Sequence, residues 1–325
     1  MFPLDHSATL NTVASDLAES DGGLVAVREN LRQLDPEGER FARVLRDTID
    51  QLLNGEVTGR YDWKTLSKTE KTHAGSIVEI NLQREFGFDD GDVTDYRIAG
   101  IQVDCKYSQQ FGGWMIPPEA EDHICLLVWA DDEKSRWSAG LLRIRPELLN
   151  KGNNRDRKLT IKAEHRDKIY WLWQDAPLPE NVLLHLDQKT REMILGPSSG
   201  QTRVNELFRR VQMRPIGRGV VRTVAQQSDY MARVREAKGR ARTVLREEGI
   251  LIPGHYGSHQ AVARGLGAPV PRVGELVSFR VAEAAAHHEG RPRVILDNRA
   301  WVLATPEDPP QAAPFLPKHT EKNRD

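Results

Sequence analysis

Between Lys68 and Ser108 the apolar period changes from that of a helix to that of a strand, which commits this part of the chain to a helix packed on a sheet. In Lys68 to Phe86, Val78, Leu82 and Phe86 recur at i, i+4 and i+8, one face of a helix resting on a core. From Ile101 the residues alternate. Ile101, Val103, Cys105 and Tyr107 point one way, and Gln102, Asp104, Lys106 and Ser108 the other. Gly100 stands where a hairpin or bulge returns the chain, so Asp95, at the end of the preceding strand, is expected beside Asp104. Glu79, about 100° around the helix from Val78, is expected where core meets solvent.

Two carboxylates brought together repel unless a cation lies between them, and hard oxygen donors suit Mg²⁺. Lys106, one pleat from Asp104, adds a fixed positive charge there. Such a group can hydrolyse a phosphodiester. An ion held by Asp95 and Asp104 activates water, Lys106 orients that water or stabilises the pentavalent charge, and Glu79 holds a second ion or its water shell. Singly these residues are ordinary, since a helical Glu is usually solvated and wet strand faces often carry an Asp and a Lys. A DNA-type basic module in the second half of the chain gives them their weight.

The net charge of −1 averages unlike halves. Residues 23–173 carry 23 basic and 26 acidic side chains, a net of −3, whereas residues 182–304 carry 20 and 11, a net of +9. From Arg203 to Arg246 there are 12 basic residues against 3 acidic ones, and 11 of the 12 are Arg, the side chain best shaped for phosphates and guanine edges. A stripe of this kind is the electrostatic footprint of a nucleic-acid face. Its order predicts a helix-turn-helix. Val204, Leu207, Phe208 and Val211 make an amphipathic helix over 203–212 with Arg209 and Arg210 toward solvent, and Val220, Val221 and Val224 supply the next apolar face. Ser228 or Asp229 is expected to cap a third helix running through Tyr230, Met231 and Val234 toward Lys238. The predicted DNA contacts are Arg209, Arg210, Arg218, Gln226, Gln227, Arg233 and Arg235. Short strands over 249–253, 276–281, 294–296 and 301–303 are expected to form a wing. The His287-His288 pair reads as a loop of exposed histidines, because adjacent strand residues point apart and no third ligand is expected near.

The expected organisation is an N-terminal arm (1–22) and a Pro-rich tail (305–325), both disordered, around a catalytic domain (23–173), a proline-stiffened linker (174–181) and a DNA-binding domain (182–304). Two cysteines cannot build a disulfide framework, no apolar run reaches the length of a membrane span, and the start lacks the pattern of a secretory signal. A cytoplasmic chain with no membrane partner is therefore expected.

At Glu79, Asp95, Asp104 and Lys106 the sequence resembles the PD-(D/E)xK nuclease superfamily, with Thr94 in place of the usual Pro and Cys105 between Asp104 and Lys106. It resembles more narrowly the NaeI-type type II restriction endonucleases, through the runs 46–52, Lys68-Thr69-Glu70-Lys71-Thr72-His73, 78–82, Val103-Asp104-Cys105-Lys106, 203–211 and Thr223-Val224-Ala225-Gln226-Gln227, which cover residues 25 to 304 in order. The resemblance implies an α/β (α+β) fold, with a nuclease domain built on a mixed central sheet and a C-terminal CAP-like winged helix. It also implies a Mg²⁺ site of Asp95, Asp104, the Cys105 backbone carbonyl and Glu79. The implied biology is a homodimeric, effector-dependent (type IIE-like) enzyme that cuts double-stranded DNA at the palindrome GCCGGC after binding a second copy of it, beside a cognate DNA methyltransferase. Two other readings suit the residues: a nicking, junction-resolving or topoisomerase-like repair enzyme, and a non-catalytic winged-helix regulator whose first half only dimerises.

Overall fold

The computed structural model describes residues 20–152 and 156–318; the rest of the expected N-terminal arm and the end of the expected tail lie outside them. The chain forms two compact units, the first running to Leu52 and resuming over Trp63–Pro179, the second made of Leu53–Asp62 and the chain from Glu180.

In the first unit, Asp21 caps α1 (Gly22–Leu34) by accepting from the Gly23 and Leu24 amides. Helix α2 (Glu39–Leu53) buries Phe41, Leu45 and Ile49 on one stripe. After it comes the single turn α3 (Gly55–Thr58), which belongs to the second unit. Helix α4 (Lys68–Phe86) starts at a capping box of Ser67 and Glu70 and ends at Gly87, whose φ of +68° favours glycine. Its buried positions are Ala74, Val78 and Leu82. Each such fully buried Val or Leu contributes about 1.5–3 kcal/mol relative to exposure.

These helices accompany a six-stranded mixed sheet in chain order: β1 (Asp89–Asp90), β2 (Tyr96–Ile98), β3 (Ile101–Ser108), β4 (Ile124–Asp131), β5 (Arg136–Arg143) and β6 (Tyr170–Pro177). Within it β3 and β4 pair in parallel, and every other neighbouring pair is antiparallel. The β2–β3 hairpin turns on Ala99 and Gly100, both at positive φ, as a tight two-residue loop requires. Ile124 to Ala130 are all buried, so the sheet centre is covered on both faces. The linker expected from Gln174 begins too early: Gln174–Pro177 complete β6, with Ala176 paired to Trp137 and Pro177 to Arg136. Pro is tolerated because β6 is an edge strand, where a missing amide costs no ladder bond.

The second unit holds α5 (Gln188–Leu195), α6 (Gly200–Arg210), α7 (Arg218–Ala225), α8 (Met231–Val234), α9 (Ala241–Arg246) and α10 (Gly257–Gly265). Strands β7 (Ile216–Gly217) and β9 (Glu275–Leu276) pair with each other, while β8 (Ile250–Leu251), β10 (Phe279–Glu283), β11 (Val294–Leu296) and β12 (Arg299–Leu303) form a sheet in the order β11-β12-β10-β8. The α6 and α7 stripes meet in one core around Val204, Leu207, Phe208, Val221 and Val224. Helix α3 docks on α7 so closely that a β-carbon on Gly55 would fall 1.9 Å from Thr223 Oγ1.

Three further expectations fail. The third helix of the basic stripe stops at Val234 instead of reaching Lys238, because Arg235 to Arg240 offer no large apolar side chain for a helix to bury. Residues 305–318, expected as a disordered tail, lie on the second unit: Ala313 is buried, its carbonyl accepts from Arg246 Nη1, and Arg246 covers the Phe315 ring. His288 is buried rather than exposed, and the unforeseen third group is Asp308, which meets His287 Nε2 at 2.9 Å and His288 Nε2 at 3.1 Å. The Ala285 amide donates to His288 Nδ1, which leaves the ring hydrogen on Nε2 pointing at Asp308. The trio is thus a hydrogen-bonded clasp on residues 305–308, whose Thr305 amide also donates to Asp308.

Candidate active site

The β2–β3 register pairs Tyr96 with Val103, and continuing it by one residue sets Asp95 opposite Asp104. Asp95 is fixed there by the Cys105 amide, which donates to its Oδ2 at 2.6 Å. Asp104, only 4% exposed, lies across the parallel pair from Cys125, whose thiol reaches its Oδ2 at 3.5 Å. Burial pushes that thiol well above its ordinary range, so it stays protonated and serves as a weak donor.

Lys106 Nζ lies at the focus of the cluster, 2.7 Å from Asp104 Oδ2, 3.3 Å from Asp95 Oδ2 and 3.0 Å from the Cys105 carbonyl. Burial works against its charge, but the Asp104 carboxylate, with Asp95 behind it, more than offsets this and holds the ammonium protonated above its usual range. Asp104 moves up to about 6, since burial and the neighbouring Asp95 outweigh the Lys106 charge.

Glu79 joins from α4. Burial, then the charge of Asp95, raises its carboxyl to about 7, with Lys106 opposing. What sets the helix at this depth is Tyr96, which is fully buried and donates its hydroxyl to the Glu79 backbone carbonyl at 2.7 Å. A second tie runs from Asn81 Nδ2 to Thr48 Oγ1 at 2.9 Å and to Gln51 Oε1 at 3.1 Å, joining α4 to α2. Glu79, Asp95, Asp104 and Lys106 therefore come together as the sequence led one to expect, on two strands and one helix. Tyr96 and Cys125 were not foreseen in these roles. Tyr96 carried one signal, its place directly after Asp95, but nothing in the sequence marks Cys125 as the neighbour of Asp104.

The residues expected to hold a cation fit one. The Asp95, Asp104 and Cys105 oxygens converge on a single point that a cation, the Lys106 ammonium, already occupies. The set is hard oxygen throughout, the donor type of Mg²⁺ or Mn²⁺ rather than of a thiophilic metal.

The basic stripe divides differently. Arg209 is not turned freely to solvent; it binds Glu248 through two guanidinium nitrogens at 2.7 Å and also pairs with Glu206. Arg210 pairs with Glu206 as well. Arg203 is buried and donates to the Val224, Pro197 and Ser198 carbonyls, and the Arg233 guanidinium lies against Gly200, so both brace α6. Gln226 ends α7 in the left-handed region, Gln227 donates to the Asp229 carbonyl, and Arg235 is exposed. Arg218 opens α7, and Gln226 and Arg218 are both at least partly exposed. Among the predicted contacts, then, Arg218, Gln226, Gln227 and Arg235 sit at the surface of this unit, while Arg209 and Arg233 are engaged in packing it.

Comparison with known proteins adds two findings. The family model described as restriction endonuclease NaeI matches residues 25–312. The type II restriction enzyme NaeI of Lentzea aerocolonigenes is 50% identical over 308 residues, covering 93% of this chain and 96% of that protein.

Proposed function

This chain belongs to the NaeI family of restriction endonucleases and is a site-specific deoxyribonuclease, and from that premise we propose that Glu79, Asp95, Asp104 and Lys106 form its phosphodiesterase centre, on a PD-(D/E)xK scaffold, with Mg²⁺ as the working ion. The convergence of three oxygen donors on one cation position, beside a half-buried Glu, carries this assignment. Type II restriction enzymes act with divalent ions, and Asp95, Asp104 and the Cys105 carbonyl would hold one here, with Glu79 toward a second or its water shell. When bound, the ion supplies Lewis-acid activation of water and of a phosphate oxygen.

The chain's own residues do the rest. Lys106, kept protonated by Asp104 and Asp95, offers its ammonium to the water or to charge developing on the phosphorus oxygens. The Cys105 amide and the Cys125 thiol restrain the two carboxylates so that neither swings away. Glu79, titrating near neutrality, can take up a proton released at the attacking water.

We assign the second unit, with its surface Arg218, Gln226, Gln227 and Arg235, to a winged-helix reader that binds a further duplex. The whole then acts as a homodimer on GCCGGC, in the cytoplasm beside a cognate methyltransferase. No helix among the described residues is long and apolar enough to cross a membrane. The test is to incubate the purified chain with plasmid DNA and Mg²⁺, map the cut ends, and repeat in EDTA. Scission at GCCGGC that EDTA abolishes is expected, and undiminished cutting in EDTA would overturn the metal assignment.

A further inference from the structure

Upstream of Glu79 on α4, the residues that share its face are Lys68, Thr72, Gly75 and Ser76, at i−11, i−7, i−4 and i−3. At 100° per residue all four lie within about 60° of Glu79 around the helix axis. Lys68, Thr72 and Ser76 are exposed, and Lys71 and His73 flank them. The only acid on this half of the helix, Glu70, is turned back to the Ser67 amide in the capping box. The face therefore presents an ammonium and the Ser76 hydroxyl, with no carboxylate before Glu79, while the Thr72 hydroxyl donates back to the Lys68 carbonyl at 2.9 Å.

Gly75 is the informative member. It sits inside a 19-residue helix, where glycine is the worst residue after proline, yet a β-carbon there would have no atom within 4 Å. Packing within the protein thus gives no reason for its lack of a side chain. A ligand that must approach the helix backbone at this point does. One helical turn separates it from Glu79, so that ligand is continuous with whatever occupies the catalytic cluster.

We propose that the Lys68–Thr72–Gly75–Ser76 face of α4 is a track for the sugar-phosphate backbone of the cleaved duplex. Lys68 and Ser76 hold phosphates that flank the scissile one, and Gly75 lets the strand lie against the helix. This rests on the nuclease assignment of Glu79, Asp95 and Asp104. An anionic backbone suits the charge of the face, and phosphate contacts of this kind fix register without reading sequence.

Testing uses the full chain with a duplex oligonucleotide carrying the site, measuring binding in Ca²⁺ across a salt series, single-turnover cleavage in Mg²⁺, and the melting temperature without DNA. Gly75→Leu should melt no lower than wild type but bind the duplex roughly tenfold or more weakly. Lys68→Ala should lower the slope of log affinity against log salt by about 1, and Ser76→Ala should weaken binding while Ser76→Thr restores it. Wild-type affinity, salt slope and cleavage in Gly75→Leu and Lys68→Ala, in a preparation whose wild type cleaves, would overturn the track and leave the nuclease assignment standing. A wild type that cuts no duplex in Mg²⁺ would overturn both.

Discussion

Lys106 Nζ lies 2.7 Å from Asp104 Oδ2, a contact made within one strand because the two side chains share a face two residues apart. The ammonium is both the partner that lets Asp104 be buried and the cation at the position an incoming metal would seek. The two substitutions should therefore differ. Asp104→Asn should cost several kcal/mol of transition-state stabilisation, roughly three orders of magnitude in cleavage, with duplex binding in Ca²⁺ nearly unchanged. Lys106→Met should impair cleavage as well, yet bind Mn²⁺ at least as tightly, since it removes a competing charge. Weaker Mn²⁺ binding by Lys106→Met, measured by calorimetry, would contradict the shared position.

Raised carboxyls give the site a pH signature. With Glu79 near 7 and Asp104 near 6, the empty cluster retains protons that a divalent ion must displace. Ion binding should release protons at pH 6.5 and cease to do so by about pH 9, read from binding enthalpies in buffers of different ionisation heat. Cleavage should correspondingly rise with pH through this range.

The same shift acts on stability. A carboxyl whose folded value exceeds its unfolded value holds its proton more tightly in the fold, so stability is greatest below the unfolded value, about 4.5 for Glu79, and declines as pH rises through about 7. Glu79→Gln should therefore stabilise the metal-free protein at pH 8 and hardly at all at pH 4. The shift alone corresponds to ~3 kcal/mol, but the side chain is only half-buried, so about 1 kcal/mol is expected. Denaturant titrations at the two pH values check it; equal effects at both would remove the electrostatic explanation.

Tyr96→Phe isolates the tie between β2 and α4. The ring packing stays and the Glu79 carbonyl keeps its helical partner, so stability should fall by only about 1 kcal/mol. Glu79 is then free to shift, and cleavage should drop about tenfold with a raised Mg²⁺ requirement. If cleavage at saturating Mg²⁺ and the Mg²⁺ dependence both match wild type, the tyrosine is only a core residue.

The site was more legible than the frame that holds it. Alternation after Gly100 located Asp104 and Lys106, and the helical stripe located Glu79, because each depends on a period within one element. Cys125 joins the site through a parallel pairing across the 15 residues between β3 and β4, a contact that no local pattern encodes. In the basic stripe, counting charge overstated the free surface. Arg203, Arg209 and Arg246 have donors taken by carbonyls and carboxylates from distant segments, so composition showed the excess of arginine but not its use. The His287-His288 pair reads as an exposed loop for the same reason, since the third member of its clasp, Asp308, is 20 residues away.

Arginines engaged in packing and arginines left at the surface should separate in their effects. Arg209→Ala should destabilise the protein by about 1–2 kcal/mol, because Glu206 and Glu248 lose a shared partner, and should leave the salt dependence of DNA binding unchanged. Arg235→Ala, whose side chain is exposed and 3.9 Å from Asp229, should do the reverse, reducing the salt slope by about 1 with little change in melting temperature. The opposite pattern would return Arg209 to the DNA face and remove Arg235 from it.

A catalytic cluster in the first unit and a reader in the second would let one dimer hold two copies of the site. Occupancy of the reader can then change cleavage only through a difference in its affinity for two states of the protein, and the coupling must be reciprocal for binding. A plasmid with one GCCGGC site should therefore be cut slowly, and a short duplex carrying the site, added in trans, should accelerate it. In the other direction, Asp104→Asn loaded with a non-cleavable duplex in Ca²⁺ should bind a second duplex more tightly than the empty protein does. A coupling of about 1–3 kcal/mol, the usual range, corresponds to roughly 5–150-fold. Arg235→Ala should reduce the acceleration more than the basal rate, because it weakens the reader and leaves the cluster untouched. Equal cutting of one-site and two-site plasmids, indifferent to added duplex, would mean that the second unit only anchors the enzyme to DNA.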